Sequence, residues 1–372
     1  PTMATERLLT PTTIAPEEEQ INWSLRPTQI TDYIGQADLI ERLKIAMQAS
    51  RQRADPMEHI LLHGPPGLGK TTLAHVIANE MGSKVCITSG PALARPTDLV
   101  ASLKRLSRGD ILFIDEIHRL PIAIEEFIYP AMEDFRIDIL LDSGIHARTV
   151  QIPCEPFTLI GATTRAGLLS APLRSRFGLV HHLKYYSTDE LLTILKRSCQ
   201  LLNINHDGDA PLATIAARSR GTPRIANRLL RRVRDYAQVR GSGSSPSPVH
   251  PLTSSPVHKP PQAPVSTPTV ITPDAVSAAL KLESVDHLGL DDLDRTYLRT
   301  IATVYEGGPV GLEAVAATLN EDAGTLEDVV EPYLLQIGFL ARTRRGRQLT
   351  RPAAEHLGLK WTPPAAESRL FE

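Results

Sequence analysis

Cysteine is scarce in this sequence, which contains only Cys86, Cys154 and Cys199 in 372 residues. These cysteines are odd in number and widely spaced, so they provide no disulfide framework. The chain also has no CxxC or HExxH pattern that would hold a metal. We therefore expect free thiols and no zinc site.

Long apolar runs and an excess of charge of one sign are also missing. No apolar run approaches the roughly 20 residues that a membrane-spanning helix needs. Residues 1–20, PTMATERLLTPTTIAPEEEQ, lack the basic start and apolar centre of a signal peptide, so we expect a cytoplasmic protein without membrane contact. The formal net charge is −2, which excludes a uniformly basic nucleic-acid binder, so any DNA binding must be local.

The first large region of the chain is predicted to be a doubly wound α/β domain. Short apolar runs alternate with helical patterns over residues 22–186, and runs such as ILFI at residues 111–114 show no polar alternation. Such runs are typical of parallel strands that helices cover on both faces. The polar residues 1–21 before it are expected to form a disordered tail.

Two smaller domains are predicted after the sheet. Residues 187–283 have mainly helical patterns and begin with a capping box from Ser187 to Glu190, which predicts a small helical domain. A Pro/Ser-rich segment at residues 241–271 interrupts it and is expected to be disordered. Residues 284–358 carry two helical patterns and then two short strands around an Arg/Gly turn, which predicts a winged helix. Residues 359–372 are expected to be a tail.

The segment GPPGLGKT, residues 64–71, has P-loop spacing between an apolar strand and a helix. In such a loop the glycines let backbone N–H groups approach phosphates, Lys70 reaches the terminal phosphates, and the Thr71 hydroxyl can bind Mg²⁺. A Gly-rich turn that arose by chance is the alternative, which the strand–loop–helix context disfavours. The segment predicts binding of ATP or GTP.

Polar residues end two further predicted strands. After ILFI, Asp115 could hold Mg²⁺ through water, and Glu116 could orient and deprotonate an attacking water. After FTLIGA, Thr163 or Thr164 could hydrogen-bond that water or the γ-phosphate. The alternatives are a solvated acidic loop and a threonine that only favours the strand. The P-loop earlier in the chain favours the catalytic interpretation.

Three arginines could complete a hydrolytic site. Arg174 and Arg176 lie just beyond the strand that ends in GATT, and Arg224 starts a later helix. Arginine at an exposed helix end is most often a solvated charge. A guanidinium aimed at a γ-phosphate would instead act as an arginine finger or as a sensor.

Taken together, these motifs resemble the RuvB family of bacterial AAA+ ATPases, the motors of Holliday-junction branch migration. The resemblance spans about residues 22–351. The stretches that carry it, in family order, are LRPTQITDYIGQ, GPPGLGKTTLA, LFIDEIHRL, YPAMEDF, FTLIGATTRAG, LRSRFG, RGTPRIANRLLRRVRDYA and VVEPYLLQIGFLARTRRGR.

The resemblance implies a role for each matched residue in binding or hydrolysing ATP with Mg²⁺. The residues around the adenine would be Leu25, Arg26, Tyr33 and Ile34. The residues at the phosphates and Mg²⁺ would be Gly67, Gly69, Lys70, Thr71 and Thr72. Others near the nucleotide would be Glu133, Asp134, Phe135 and Tyr186. The catalytic acids would be Asp115 and Glu116, the first sensor Thr163 or Thr164, the second sensor Arg224, and the arginine finger Arg176.

The resemblance also implies partners. A finger supplied to a neighbouring subunit implies a ring, and the family forms homo-hexamers around duplex DNA at Holliday junctions, with RuvA and RuvC as partners. The segment IDILLDSGIHARTVQI, residues 137–152, alternates around DSG as a hairpin does, and in the family this hairpin contacts RuvA. An ordinary surface hairpin is the alternative.

DNA contacts are expected in the wing rather than in the helix before it. That helix carries Glu327, Asp328 and Glu331, which phosphates would repel. Arginines cluster just after it at positions 342, 344, 345, 347 and 351, although a solvated basic hairpin would look the same. The family pattern points to Arg342 and Arg347. The sequence departs from that pattern in the Pro/Ser-rich insertion and in Arg344, where the family usually has proline.

Two other functions would share part of this pattern. A clamp-loader-like or protein-remodelling AAA+ ATPase would have the same nucleotide motifs, but it would carry a pore loop or a clamp-binding surface in place of a winged helix. A DNA-binding regulator that ATP merely switches would not need Glu116 together with Arg176.

Overall fold

The computed structural model describes residues 23–140, 149–241 and 270–361. The chain forms two compact units. The sheet unit contains the described residues up to 190 together with residues 222–224. The helical unit contains residues 191–221 and the described residues from 225 onward.

A five-stranded parallel sheet forms the centre of the sheet unit, and its strand order is β2-β3-β6-β1-β7. Its strands are β1 (Ile60–His63), β2 (Val85–Ser89), β3 (Ile111–Asp115), β6 (Thr158–Thr163) and β7 (Leu179–His182). The residues of β6 are all buried, which explains the absence of polar alternation in the central strands. The doubly wound α/β fold predicted from the sequence is confirmed.

Helices pack on the apolar faces of this sheet. They are α1 (Ala37–Arg53), α2 (Lys70–Met81), α3 (Pro96–Leu103), α4 (Ile122–Glu133) and the short α5 (Ala171–Ser175). Leu112 and Ile114 of β3 join α3 and α4 in one hydrophobic core. Phe113 lies between them in sequence and therefore points to the opposite face, where it is also fully buried. Both faces of the central strand are thus covered.

A two-stranded antiparallel hairpin, β4 (Arg136–Leu140) and β5 (Thr149–Pro153), follows α4. Ile137 pairs with Ile152, so the hairpin predicted over residues 137–152 is confirmed for its strands. Its predicted DSG turn lies outside the described residues.

The next helices form a lid. They are α6 (Thr188–Leu201), α7 (Ala210–Ala217), α8 (Pro223–Gly241) and α9 (Pro273–Leu282). The predicted capping box is confirmed, because the Ser187 N–H donates to Glu190 at 2.7 Å and the Glu190 N–H donates to the Ser187 hydroxyl at 3.2 Å.

The predicted bounds of the Pro/Ser-rich segment, residues 241–271, were wrong at both ends. Gly241 is the last residue of α8. Val270 and Ile271 form β9, which pairs in parallel with β8, Asn205–His206. Ile271 is fully buried, because an apolar side chain after the polar segment gains free energy by packing on the lid. Residues 242–269 lie outside the described residues.

A winged helix completes the helical unit, as the sequence predicted. Its helices are α10 (Asp292–Thr303), α11 (Leu312–Leu319), α12 (Ala323–Thr325), a π-helical turn (Leu326–Val330), α13 (Glu331–Gln336) and α14 (Arg351–His356). The wing is the antiparallel pair β10 (Leu340–Thr343) and β11 (Gly346–Leu349). Leu298, Val315, Leu334 and Leu349 share one core, so the wing is packed against the helices.

Candidate nucleotide site and DNA-binding domain

The P-loop connects the end of β1 to the start of α2. Gly67 has φ of +81° and Gly69 has φ of +93°, a backbone region that residues with a Cβ rarely adopt. A Cβ on Gly67 would lie 3.3 Å from Cβ of Arg224, and one on Gly69 would lie 3.1 Å from the Tyr33 hydroxyl. Glycine therefore lets the loop pass close to both side chains.

Lys70 is the first residue of α2, and it is buried inside the loop. Its ammonium donates hydrogen bonds of 2.8 Å to the carbonyls of Gly64 and Pro65. Burial lowers the pKa of Lys70 to about 8, while the charge of Asp115 opposes that shift. A buried cation beside backbone N–H donors is suited to bind a terminal phosphate. Thr71 and Thr72 follow it in the first turn of the helix.

Asp115 and Glu116 lie at the end of β3. The Glu116 N–H donates to Oδ1 of Asp115 at 2.9 Å, which fixes the Asp115 carboxylate. Glu116 has φ of +46°, so the chain turns sharply out of the strand at this residue. Its carboxylate forms a 2.9 Å ion pair with Arg119. A strained acidic residue at a strand end is a feature that active sites tolerate.

Thr163 ends β6, and its partner in the neighbouring strand β1 is His63, the residue just before the P-loop. The Thr163 hydroxyl lies 2.9 Å from Nδ1 of His118 and accepts a 3.0 Å hydrogen bond from the Arg165 N–H. Thr164 is exposed. The sequence did not predict His118, which connects Thr163 to the loop after Asp115. In the sequence, the only indication of this role for His118 is its position directly after IDEI.

Two tyrosines lie on the other side of the P-loop. The hydroxyls of Tyr186 and Tyr33 are 3.3 Å apart, and Tyr186 donates to the Leu68 carbonyl at 3.4 Å. Burial raises the pKa of Tyr33 to about 12, although the hydrogen bond with Tyr186 opposes the shift. Burial also raises the pKa of Tyr186. Both side chains are therefore neutral donors beside the loop.

The residues predicted to surround the adenine begin the sheet unit. Leu25 is buried and Ile34 is half-buried. The guanidinium of Arg26 lies 3.9 Å from the ring centre of Trp23, and that ring meets His75 of α2 edge-on at 4.5 Å. The segment before α1 is thus attached to the helix that follows the P-loop.

Arg224 is the second residue of α8, yet it belongs to the same compact unit as the P-loop. Its Cβ faces Gly67. The structure therefore brings the predicted second sensor to the phosphate loop.

Arg176, the predicted finger, lies with a different group of residues. Its Nε is 3.1 Å from the Glu133 carboxylate, and its guanidinium carbon lies 4.2 Å from the ring centre of Tyr129. Asp134 forms a 3.0 Å ion pair with Arg136, and the Phe135 ring packs on Phe157. Of the three residues predicted near the nucleotide, Glu133 therefore contacts Arg176, whereas Asp134 and Phe135 contact Arg136 and Phe157.

The wing arginines share one buried acid. Glu331, the first residue of α13, is fully buried. Its carboxylate accepts hydrogen bonds from Nε of Arg342 at 2.9 Å and from Nε of Arg347 at 2.8 Å. The sequence predicted these arginines as DNA contacts, but it gave no sign that they hold the wing to α13. Arg344 and Arg345 at the tip are exposed.

Within the part of the chain that the structure describes, no helix is long and apolar enough to cross a membrane.

Comparisons with known proteins cover almost the whole described chain. Residues 25–183 match the Holliday junction DNA helicase RuvB P-loop domain, residues 186–249 the RuvB AAA lid domain, and residues 287–358 the RuvB C-terminal winged helix domain. These matches lie in the same order as the sheet, lid and wing described above.

Individual relatives give the same result. The Holliday junction branch migration complex subunit RuvB of Desulfosudis oleivorans is 52% identical, over 91% of this chain and 91% of that protein. The RuvB subunit of Kosmotoga olearia is 50% identical, over 95% of each chain. The solved Thermotoga maritima RuvB Holliday junction branch migration motor is 45% identical, with a TM-score of 0.77, over 91% of this chain and 100% of that one.

The three domain matches favour the RuvB family over the clamp-loader and regulator alternatives. Identity near one half to whole RuvB subunits supports the same choice. The chain belongs to the RuvB family of AAA+ ATPases, the motors of Holliday junction branch migration.

Proposed function

We propose that the chain hydrolyses ATP in a homo-hexameric ring and uses the free energy to move duplex DNA through Holliday junctions. The observation that carries this proposal is the arrangement of Lys70, Asp115 and Thr163. These residues follow or end three neighbouring strands of one parallel sheet, β1, β3 and β6, in a chain that also carries a winged helix. Ligands in such sheets bind beyond the carboxyl ends of the strands.

The residues of this site fit ATP with Mg²⁺. Gly67 and Gly69 hold the loop open to phosphates, and Lys70 would contact the terminal phosphates. The Thr71 hydroxyl and Asp115 would hold Mg²⁺, which neutralises charge that develops on the phosphate oxygens. The charge of Asp115 already acts on the pKa of Lys70, so the carboxylate and the ammonium face the same phosphate site.

Hydrolysis needs a water aligned with the γ-phosphate. Glu116 would orient and deprotonate that water after it leaves its ion pair with Arg119. Thr163 or Thr164 would hydrogen-bond the water or the γ-phosphate, and Arg224 would sense the phosphate across Gly67. The remaining predicted contacts would enclose the base: Leu25, Arg26, Tyr33, Ile34 and Tyr186.

Arg176 acts on the nucleotide of a neighbouring subunit in this proposal. The contacts of Arg176 with Glu133 and Tyr129 support a finger held ready at a subunit surface, and Glu133, Asp134 and Phe135 would approach the same neighbouring nucleotide. An active site shared between two chains requires a ring, and six subunits is the number that the family resemblance implies. Arginine is suited to this role because its planar donors match phosphate oxygens.

The partners that we propose are duplex DNA and the other proteins that act on the junction. The relatives are named as subunits of a branch migration complex, and we infer that the β4–β5 hairpin contacts RuvA and that RuvC joins when the junction is cut. Arg342 and Arg347 would contact the phosphate backbone of the duplex, since a motor must pass over any base sequence. The chain would act in the cytoplasm, where bacterial DNA lies.

ATPase activity with and without duplex DNA and RuvA tests this proposal. We expect basal ATP hydrolysis that duplex DNA and RuvA together stimulate. Lys70→Ala should remove this hydrolysis, because it abolishes nucleotide binding. Hydrolysis that duplex DNA leaves unchanged at every RuvA concentration would contradict the proposal.

A further inference from the structure

Arg220 lies next to the segment that carries the second sensor. Residues 222–224 belong to the sheet unit, whereas residues up to 221 and from 225 belong to the helical unit. Arg220 therefore stands two residues before the point at which the chain joins the nucleotide-binding unit. Contacts that hold Arg220 in place therefore also hold the start of the Thr222–Arg224 segment.

The winged helix fixes Arg220 through a buried set of contacts. Arg220 is only 3% exposed, and its Nε donates to the Gly289 carbonyl at 2.8 Å. Its guanidinium also donates to the carboxylate of Asp294, which is fully buried, and lies 3.7 Å from Asp291. The ring of Tyr333 on α13 lies 5.2 Å from the same guanidinium.

The two acids are themselves held by the first helix of the winged-helix domain. They form the capping box of α10, in which the Asp294 N–H donates to Asp291 at 3.0 Å and the Asp291 N–H donates to Asp294 at 2.9 Å. Each carboxylate is thus bound to the backbone as well as placed against Arg220. A buried, hydrogen-bonded ion pair tolerates little change in geometry, because displacement leaves an uncompensated charge.

The backbone at Arg218 in the lid and the backbone at Gly289 before α10 also approach each other closely. Gly289 has φ of +79°, and a Cβ there would lie 2.5 Å from the Arg218 carbonyl oxygen. Arg220 itself has φ of +51°, an unfavourable conformation for a bulky side chain, and such conformations persist where surrounding contacts impose them. The lid segment at residues 218–220 and the start of the winged helix are therefore joined rigidly.

We propose that Arg220 is a positioning residue that couples the nucleotide site to the DNA-binding domain. The Asp291–Asp294 cap and Arg220 make α10 move together with the start of the Thr222–Arg224 segment. A change in Arg224 at the phosphates is thereby transmitted to the winged helix, and DNA binding acts back on Arg224 by the same path, since coupling between two binding sites is reciprocal. This inference rests on the proposed DNA-dependent ATPase.

The test separates coupling from folding. Arg220→Gln removes the cation, and Asp294→Asn removes the anion while it keeps an oxygen that can accept from the Asp291 N–H. For each full-length variant we would measure basal ATPase activity, duplex-stimulated ATPase activity with RuvA, and the Kd for duplex DNA with ADP and with a slowly hydrolysed ATP analogue. Arg220→Lys keeps the charge but loses the fork of donors, so it should be intermediate.

We expect basal activity within about twofold of wild type, with the ratio of stimulated to basal activity reduced toward one and the nucleotide dependence of the DNA Kd lost. A matched control is Lys196→Gln, which breaks an exposed lid ion pair with Asp209 of 2.7 Å. It should keep the wild-type ratio. If either single variant fails to fold, the paired variant Arg220→Met/Asp294→Asn removes both charges together and takes its place.

A wild-type stimulation ratio in folded variants would overturn the coupling alone. So would equal losses of basal and stimulated activity, because they would show that Arg220 only supports the fold. Absence of stimulation in the wild-type protein would overturn the proposed function together with the coupling.

Discussion

The carboxylate of Glu331 accepts a 2.8 Å hydrogen bond from Nε of Arg347 at the base of the wing. Arg342 donates to the same carboxylate, and the Tyr297 hydroxyl donates to it at 2.6 Å. Burial alone would raise the pKa of Glu331, but the hydrogen bonds from Arg347, Tyr297 and Arg342 lower it below its ordinary value. One buried anion thus attaches both predicted DNA-binding arginines to α13.

Arg347→Ala should therefore reduce the stability of the winged helix as well as DNA binding. Its side chain is 18% exposed, and its loss leaves the buried Glu331 with one cation fewer. We expect a loss of about 2 kcal/mol in the free energy of unfolding, the range for a buried group that loses a charged partner. Urea unfolding monitored by circular dichroism measures it. The control Arg351→Ala breaks an exposed ion pair with Glu355 and should change stability by less than about 0.5 kcal/mol. Equal midpoints for the two variants would contradict the structural role of Arg347.

The tip of the wing offers a way to test DNA contact without disturbing Glu331. Arg344→Gln/Arg345→Gln removes two exposed cations, and we expect weaker binding to duplexes of every sequence. The slope of log K against log salt should become shallower by about 1.8, which is about 0.9 for each lost phosphate contact. Fluorescence anisotropy over a salt series measures the slope. An unchanged slope in the folded variant would show that the tip arginines do not contact phosphates and would leave the contacts to Arg342 and Arg347.

ATP binding should depend on pH through Lys70. Burial lowers its pKa to about 8, whereas a bound phosphate restores the charged form. Affinity should therefore be constant below that pH and weaken about tenfold per pH unit above it, until the pKa of the bound form is reached. The Kd of a fluorescent ATP analogue from about pH 7 to pH 9.5 measures this. Lys70→Arg stays charged over this range, so any affinity that it retains should not show this decline. A constant wild-type Kd across the range would contradict the shifted pKa.

A finger that acts on a neighbouring subunit can be tested by mixing. Arg176→Ala protein lacks the finger, and Lys70→Ala protein lacks nucleotide binding, so neither should be active alone. Mixed rings contain interfaces that combine an intact Lys70 with an intact Arg176, and ATPase activity should partly return. Tyr129→Phe, which keeps the ring beneath Arg176, should behave like wild type in the same assay. No recovery in rings shown to be mixed would contradict a finger supplied by a neighbour.

Local patterns explain why much of the site could be predicted from the sequence. The P-loop, the Asp115–Glu116 pair and the Ser187 capping box depend on residues within a few positions of one another. The hairpin was visible through its alternation, and the continuous apolar runs indicated a covered parallel sheet.

Contacts between distant segments could not be predicted in this way. Glu331 looked like a surface acid that phosphates would repel, and only tertiary structure shows that it is buried beneath Arg342 and Arg347. The joint burial of Arg220 and Asp294, 74 positions apart, leaves no periodic signal. Val270 and Ile271 were assigned to the Pro/Ser-rich segment because two residues are too few to reveal a strand.

The rate at which the full-length protein migrates a synthetic four-way junction, with RuvA present, tests most directly the claim that hydrolysis at this site moves DNA. Wild-type protein should migrate the junction with ATP. Glu116→Gln should bind ATP and duplex DNA with wild-type affinity but migrate the junction at least roughly 100-fold more slowly, the lower range for the loss of a positioned base. Near-normal migration by Glu116→Gln, or a wild-type protein that hydrolyses ATP and leaves the junction in place, would contradict the account.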